Sequence, residues 1–195
     1  LSPEYVFPGS GVLLQRELGI KEIPALDVRN QCSGFIYALS VADQFIKTGM
    51  YNNVLVVGSE IHSSGLDFST RGRGVSVIFG DGAGAAVLTP SESNDKGILS
   101  THLHADGEFA EELAVIDPGS NKKERLTHEM IDSGSIYPHM NGNMVFKHAV
   151  TRFPEVIMEA LDKNGYKPED IDMLVPHQAN LRITSYIQQK MGLPS

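Results

Sequence analysis

Apolar positions in this chain fall into short blocks whose period switches between that of a strand and that of a helix. Residues 11–18 carry a helical pattern stopped by Gly19. Pro24-Ala25-Leu26-Asp27-Val28 reads as a short buried strand. Phe35, Leu39, Ala42, Phe45 and Ile46 then recur at helical spacing, which predicts an amphipathic helix over 33–47 closed by Gly49. Residues 53–57 read as a buried strand, and 84–88 and 98–104 as two more. Pro90 and a polar turn follow the first of these two, which suits a hairpin between them.

Residues 106–138 break the pattern. Asp-Pro-Gly-Ser, Asn-Lys-Lys-Glu-Arg and Asp-Ser-Gly-Ser with few periodic apolar positions predict a long surface excursion. Asn141 is placed to cap a helix from 142 to about 164 with Val145, Phe146, Ala149, Val150 and Phe153 on its apolar stripe. Pro154 lies inside it and is expected to kink the helix near Val150 or split it there. Asp172-Met173-Leu174-Val175-Pro176 reads as a strand ended by its proline. His177 then stands at the strand's mouth, before a helix from Leu181 toward Met191. Strands alternating with helices predict an α/β layered architecture. The organisation read from the pattern is 1–105, then 106–138 as linker, then 139–195.

Composition narrows the class. A chain of 195 residues, 41% of them hydrophobic, can bury a real core. A net charge of −8 argues against nucleic acid as a general partner. One cysteine rules out a disulfide framework, so a reducing cytoplasm is the simpler compartment. No apolar run approaches the roughly 18 residues that a membrane span needs. With Leu1-Ser2-Pro3 at one end and Leu193-Pro194-Ser195 at the other, part of a longer polypeptide is expected.

Candidate chemistry centres on Cys32, which sits where the strand at 24–28 gives way to the helix at 33–47. Unpaired N–H groups and the positive end of the helix dipole there are expected to favour the thiolate. The competing expectation is a buried, inert thiol. His177, at a second strand-to-helix junction, supplies what a two-residue thiol chemistry needs. His102, His104 and Asp106 share a strand face at a spacing that a metal pair can use. Gly80-Asp81-Gly82-Ala83-Gly84 lacks the Gly-Lys-Ser/Thr ending of a phosphate loop and precedes a strand, so a turn and close packing are expected there.

Val175-Pro176-His177-Gln178-Ala179-Asn180-Leu181-Arg182-Ile183 resembles the histidine motif of the β-ketoacyl-acyl-carrier-protein synthase III family, in the thiolase superfamily. The stretch 27–35 around Cys32, Phe79-Gly80-Asp81-Gly82-Ala83-Gly84-Ala85-Ala86-Val87-Leu88, and Ser100-Thr101-His102-Leu103-His104-Ala105-Asp106-Gly107 match the family in the same order. So does Asn143-Met144-Val145-Phe146-Lys147. The resemblance covers nearly the whole chain. It implies an α/β, thiolase-like layered fold, here incomplete, with helices packed on mixed β-sheets, and it accounts for the His102 segment without metal.

By that resemblance, Cys32 takes an acyl group from acyl-CoA. His177 stabilises the enolate left when malonyl-acyl-carrier protein loses carbon dioxide, and condensation gives a β-ketoacyl-carrier protein that initiates fatty acid synthesis. The family's third catalytic residue, an asparagine, falls beyond Ser195, so the 195 residues alone are expected to lack complete condensation activity. Backbone N–H groups at the helix start, that of Cys32 included, are expected to hold the oxyanion. The resemblance assigns the grip on the coenzyme A nucleotide to Arg73-Gly74, upstream of the Phe79 motif, with Arg71-Gly72 as the open alternative. It places Phe146 and Asn180 along the pantetheine tunnel, and Lys147 and Arg182 against the acidic carrier protein. Phe7 is implied to reach into the partner's pocket in a homodimer. His62 stands where other members tend to place an apolar pocket residue, which puts a simple acetyl preference in doubt. No permanently bound cofactor, no nucleic acid and no membrane partner is implied. Two other readings stay open: a thiolase-superfamily acyltransferase using CoA-linked or other acceptors in secondary metabolism, and a non-catalytic scaffold, against which Cys32 and His177 together stand.

Overall fold

The computed structural model describes residues 2–93 and 95–193, so the readings placed on Leu1, Pro194 and Ser195 lie outside the described residues. Packing groups the chain into two units: one runs up to His62 and takes in Asp81–Ile98, the other holds Ser63–Gly80 and the chain from Leu99 on.

In the first unit, α1 (Ser10–Glu17) begins at Gly9, which has no side chain to cap it. The carboxylate of Asp27 does so instead, accepting from the Gly11 amide at 3.1 and 3.2 Å and placing a negative charge at the positive end of the helix. The strand expected at 24–28 does not form. Its segment joins no ladder among the described residues, its aspartate is engaged with α1, and Leu26 is left 64% exposed. A tight 3-10 turn at Gln31–Ser33 leads into α2 (Gly34–Lys47), which buries Ala42 and Asp43. Asp43 pairs with Lys47 one turn on, at 2.8 Å.

β1 (Val54–Glu60) and β2 (Gly82–Leu88) form an antiparallel pair, with Val54 opposite Leu88 and Glu60 opposite Gly82. The partner of β2 is therefore β1, not residues 98–104 as a local hairpin would require. α2 packs on β1, whose Val56 is buried. Close approach is possible because Gly58, opposite Gly84, has no side chain. A Cβ there would stand 3.2 Å from the Phe35 ring.

The second unit holds α3 (Arg73–Ser76), β3 (Leu113–Ala114), α4 (His128–Ser133), β4 (His139–Met140), α5 (Gly142–Asn164) and α6 (Leu181–Met191). The stretch expected as a surface excursion carries structure of its own. β3 pairs with β4, Thr127 caps α4 by accepting from the Met130 amide at 3.2 Å, and the buried Asp117 lies 2.6 Å from Lys122 Nζ. Polar side chains, not an apolar period, organise it, and so its order leaves little trace in the hydrophobic pattern.

α5 runs unbroken through Pro154 and is not split at Val150. The proline is buried, and its packed ring offsets part of the roughly 3 kcal/mol that a helix-interior proline costs. Asn141 caps the helix as expected, accepting from the Met144 amide. α5 and α6 pack together, burying Leu161, Ile183 and Ile187, the last fully.

Residues 98–104, expected as a strand, join no ladder among the described residues either, and from Ser100 on the segment is fastened to α5 by side chains. Asn164 Nδ2 donates to Ser100 Oγ at 2.7 Å, His102 and His104 reach the two carboxylate oxygens of Glu159 at 2.9 and 2.6 Å, and Asp106 lies 3.6 Å from Arg152. The partners descend the helix as the segment ascends. Twelve residues of helix rise about 18 Å, and six extended residues reach about 20 Å, so the runs are commensurate. The segment at 172–176 also lacks a ladder partner among the described residues, and Met173 and Val175 are each 76% exposed.

Candidate active site

Cys32 stands in the 3-10 turn that precedes α2, with α2 starting at Gly34. As a residue it is exposed, not buried. Its titration runs against the expectation of a ready thiolate. The atoms packed around the sulfur desolvate it, the negative charge of Glu60 adds to this, and together they push the thiol up despite the lowering effect of its own backbone N–H. Cys32 stands two residues before the regular helix begins at Gly34.

Glu60 ends β1, and sequence reading passed over it. It lies three residues beyond the strand read at 53–57, and β1 runs on to include it. His62 follows it, with a side chain only 12% exposed and Nε2 3.9 Å from Glu60 Oε2. A small, polar, charge-bearing neighbourhood thus borders Cys32 within its own unit.

His177 belongs to the other unit. It is exposed, three residues before Asn180. Asn180 caps α6, accepting from the Arg182 amide at 2.9 Å, so this asparagine has a structural duty beside any contact with substrate. Arg182 is exposed on the first turn of α6, while Phe146 is 38% exposed and Lys147 exposed near the start of α5. Phe7 is 82% exposed beside Val6 and Tyr5.

The two arginines that sequence left undecided differ in their surroundings. Arg71 is engaged: Nε lies 2.6 Å from Asp67 Oδ2, Nη1 donates to the Asp132 carbonyl at 3.2 Å, and the guanidinium lies 5.8 Å from the Tyr137 ring centroid. Arg73 opens α3, is exposed, and has no ion pair or hydrogen bond of its side chain among the described residues. Gly74 follows it in α3, and Phe79, half-buried, lies just past the helix. The donors that a metal pair would need are occupied, His102 and His104 by Glu159 and Asp106 by Arg152. A surface cleft lined by Asp117, Lys122, Thr127, Met130 and Ser135 contains none of the candidate residues.

A family model described as 3-oxoacyl-[acyl-carrier-protein (ACP)] synthase III matches residues 26–107, and its C-terminal counterpart matches 161–195. The chain is 43% identical over 193 residues to the β-ketoacyl-[acyl-carrier-protein] synthase III of Methylococcus capsulatus, covering 99% of this chain and 57% of that protein. It belongs to the synthase III family. The corresponding synthase III 1 of Vibrio vulnificus is 45% identical over 192 residues, 98% of this chain and 56% of its own. The crystal structure of the synthase III from Aquifex aeolicus superposes with a TM-score of 0.85 at 40% identity, covering 98% of this chain and 56% of that one. The fold is therefore the thiolase-like α/β fold of the synthase III family, of which the chain spans a little over half the length seen in the curated relatives it matches.

Proposed function

We propose that the full-length protein catalyses decarboxylative condensation of an acyl-CoA with malonyl-acyl-carrier protein, initiating fatty acid synthesis. Identity of 43–45% to proteins named β-ketoacyl-[acyl-carrier-protein] synthase III across almost every residue of this chain carries the reading. An exposed cysteine at a helix entrance agrees with it.

In the proposed sequence the Cys32 sulfur, once deprotonated, attacks the acyl-CoA carbonyl. The new C–S bond forms as the bond to coenzyme A breaks, and the coenzyme leaves as its thiol after taking up a proton. Backbone N–H groups of the turn at 31–34 face the oxyanion. Loss of carbon dioxide from the malonyl thioester leaves an enolate, whose charge His177 stabilises. Its carbon attacks the acyl-Cys32 carbonyl and regenerates the thiolate. Thioester exchange and decarboxylation supply the driving force, so the chemistry calls on no resident cofactor.

Arg73 takes the nucleotide of coenzyme A, with Gly74 and Phe79 beside it. Phe146 and Asn180 line the pantetheine path, and Lys147 and Arg182 meet the carrier protein. His62 bounds the acyl site, and Phe7 completes a partner's site in a homodimer. Residues 1–105 and 139–195 are parts of two related halves joined by 106–138. No helix among the described residues is long and apolar enough to cross a membrane, and soluble acyl carriers in the cytoplasm fit as partners.

The test is mass spectrometry of the full-length protein after exposure to acyl-CoA, followed by addition of malonyl-carrier protein. An acyl adduct on Cys32 that disappears as β-ketoacyl product forms is expected. β-Ketoacyl formation by Cys32→Ala at the wild-type rate would sink the assignment.

A further inference from the structure

We propose that Arg71 is a positioning residue: it braces the turn that presents Arg73, and so sets the affinity for the nucleotide half of acyl-CoA without touching it. The proposal rests on the reading of Arg73 as the nucleotide-gripping arginine. The turn is built on Asp67. One carboxylate oxygen accepts from the Ser69 amide at 2.9 Å, the other from Arg71 Nε at 2.6 Å, and Ser69 Oγ accepts from the Arg71 amide at 3.3 Å. The Gly72 amide returns to the Ser69 carbonyl at 3.1 Å, and the buried Val75 anchors α3 immediately beyond. The backbone on both sides of Arg71 is thus fixed from within.

What ties this turn to a distant part of the unit is the guanidinium. Arg71 Nη1 donates to the Asp132 carbonyl in the last turn of α4, where a cation meets the negative end of the helix, and the planar group lies near Tyr137. Gly134, at φ 79°, leaves the space that the guanidinium fills, since a Cβ there would fall 2.3 Å from Arg71 Cζ. One side chain therefore joins 67–76 to 128–137, and α3 packs beside β4. Arg73, two residues on, opens α3 at the end of a braced arm, with its own side chain unengaged among the described residues. A charged group held in place loses less freedom on binding a phosphate than one on a loose loop.

The readout is the ratio of KM for acyl-CoA to KM for acyl-pantetheine, the same thioester without the nucleotide, measured with the full-length enzyme. Arg73→Ala should raise the ratio about tenfold, the loss expected for a hydrogen bond to a charged group. Arg71→Ala and Gly134→Ala should raise it about fivefold with little change in kcat on acyl-pantetheine. Arg71→Lys, which keeps the charge but not the fork, should fall between. The double variant Arg71→Ala/Arg73→Ala should be no worse than Arg73→Ala alone, because one residue acts through the other. If Arg73→Ala moves the ratio but Arg71→Ala, Arg71→Lys and Gly134→Ala do not, or if the double variant is additive, the positioning role is overturned and the nucleotide reading stands. Equal loss on both substrates would mark Arg71 as merely structural and overturn the proposal. No change with Arg73→Ala would overturn the nucleotide reading and this inference together.

Discussion

The cysteine proposed as nucleophile is desolvated and stands near a carboxylate that opposes its thiolate form. Desolvation and Glu60 push the Cys32 thiol up, so at neutral pH the thiol form dominates and reactivity should climb with pH through a midpoint above that of an ordinary thiol. Glu60→Gln removes the negative charge and should move the midpoint of iodoacetamide labelling down, giving faster labelling at any pH below it. An unmoved midpoint would show that desolvation alone sets the value. Asp67 behaves in the opposite sense. Bonds from Ser69 and Arg71 hold its carboxyl down at about 2. A depressed carboxylate contributes stability that is fully present above its unfolded value near 3.9 and fades as pH falls toward about 2. The Tm gap between wild type and Asp67→Asn should therefore be constant from neutral pH down to about 5 and close on further acidification. The places of Cys32 in the turn before α2 and of His177 ahead of the α6 cap were legible in sequence, because helix starts carry local signals. The titration of Cys32 was not, because desolvation of the sulfur and the approach of Glu60, 28 positions away in sequence, both arise only once the chain has folded.

At the scale of elements, periodicity and capping residues marked α1, α2, α5 and α6 closely, and the ladders poorly. A helix satisfies its own backbone, so its signal is local. A strand needs a partner that hydrophobic pattern does not name. Residues 24–28, 98–104 and 172–176 are apolar enough to read as strands, yet among the described residues Asp27 caps α1, the 98–104 segment is held by polar side chains on α5, and 172–176 has no ladder at all. Glu159 is the hub of that attachment, its carboxyl lowered by His102 and then His104. Glu159→Gln should loosen residues 99–106, read as faster amide exchange there, with the difference from wild type shrinking as pH falls through the depressed carboxylate value. The cap that Asn180 makes and the substrate contact proposed for it are separable by substitution. Asn180→Ala should cost about 1 kcal/mol of stability through the lost cap, whereas Asn180→Asp keeps the cap and should change KM for acyl-CoA with Tm nearly intact.

For the molecule as a whole, two surfaces are open to direct test. Phe7, with Val6 and Tyr5, is a large exposed apolar group of the kind that oligomers cover. Sedimentation of the full-length protein should show a dimer that Phe7→Asp shifts toward monomer. Lys147 and Arg182 are exposed cations on a chain of net charge −8, so they stand out to an acidic carrier. Exchanging both for Glu should slow condensation with malonyl-carrier protein and leave acylation of Cys32 by acyl-CoA largely unchanged.

The bare backbone at Gly58 governs how deep the start of α2, and with it the Cys32 turn, can sit. Phe35, three residues past the sulfur, already rests against β1 where a single methyl would intrude. A larger residue at 58 would lift the ring and tilt the start of α2, carrying Cys32 outward while leaving its own chemistry unaltered. Reactivity at Cys32 is therefore adjustable from the opposite face of the sheet–helix contact, by volume rather than by charge.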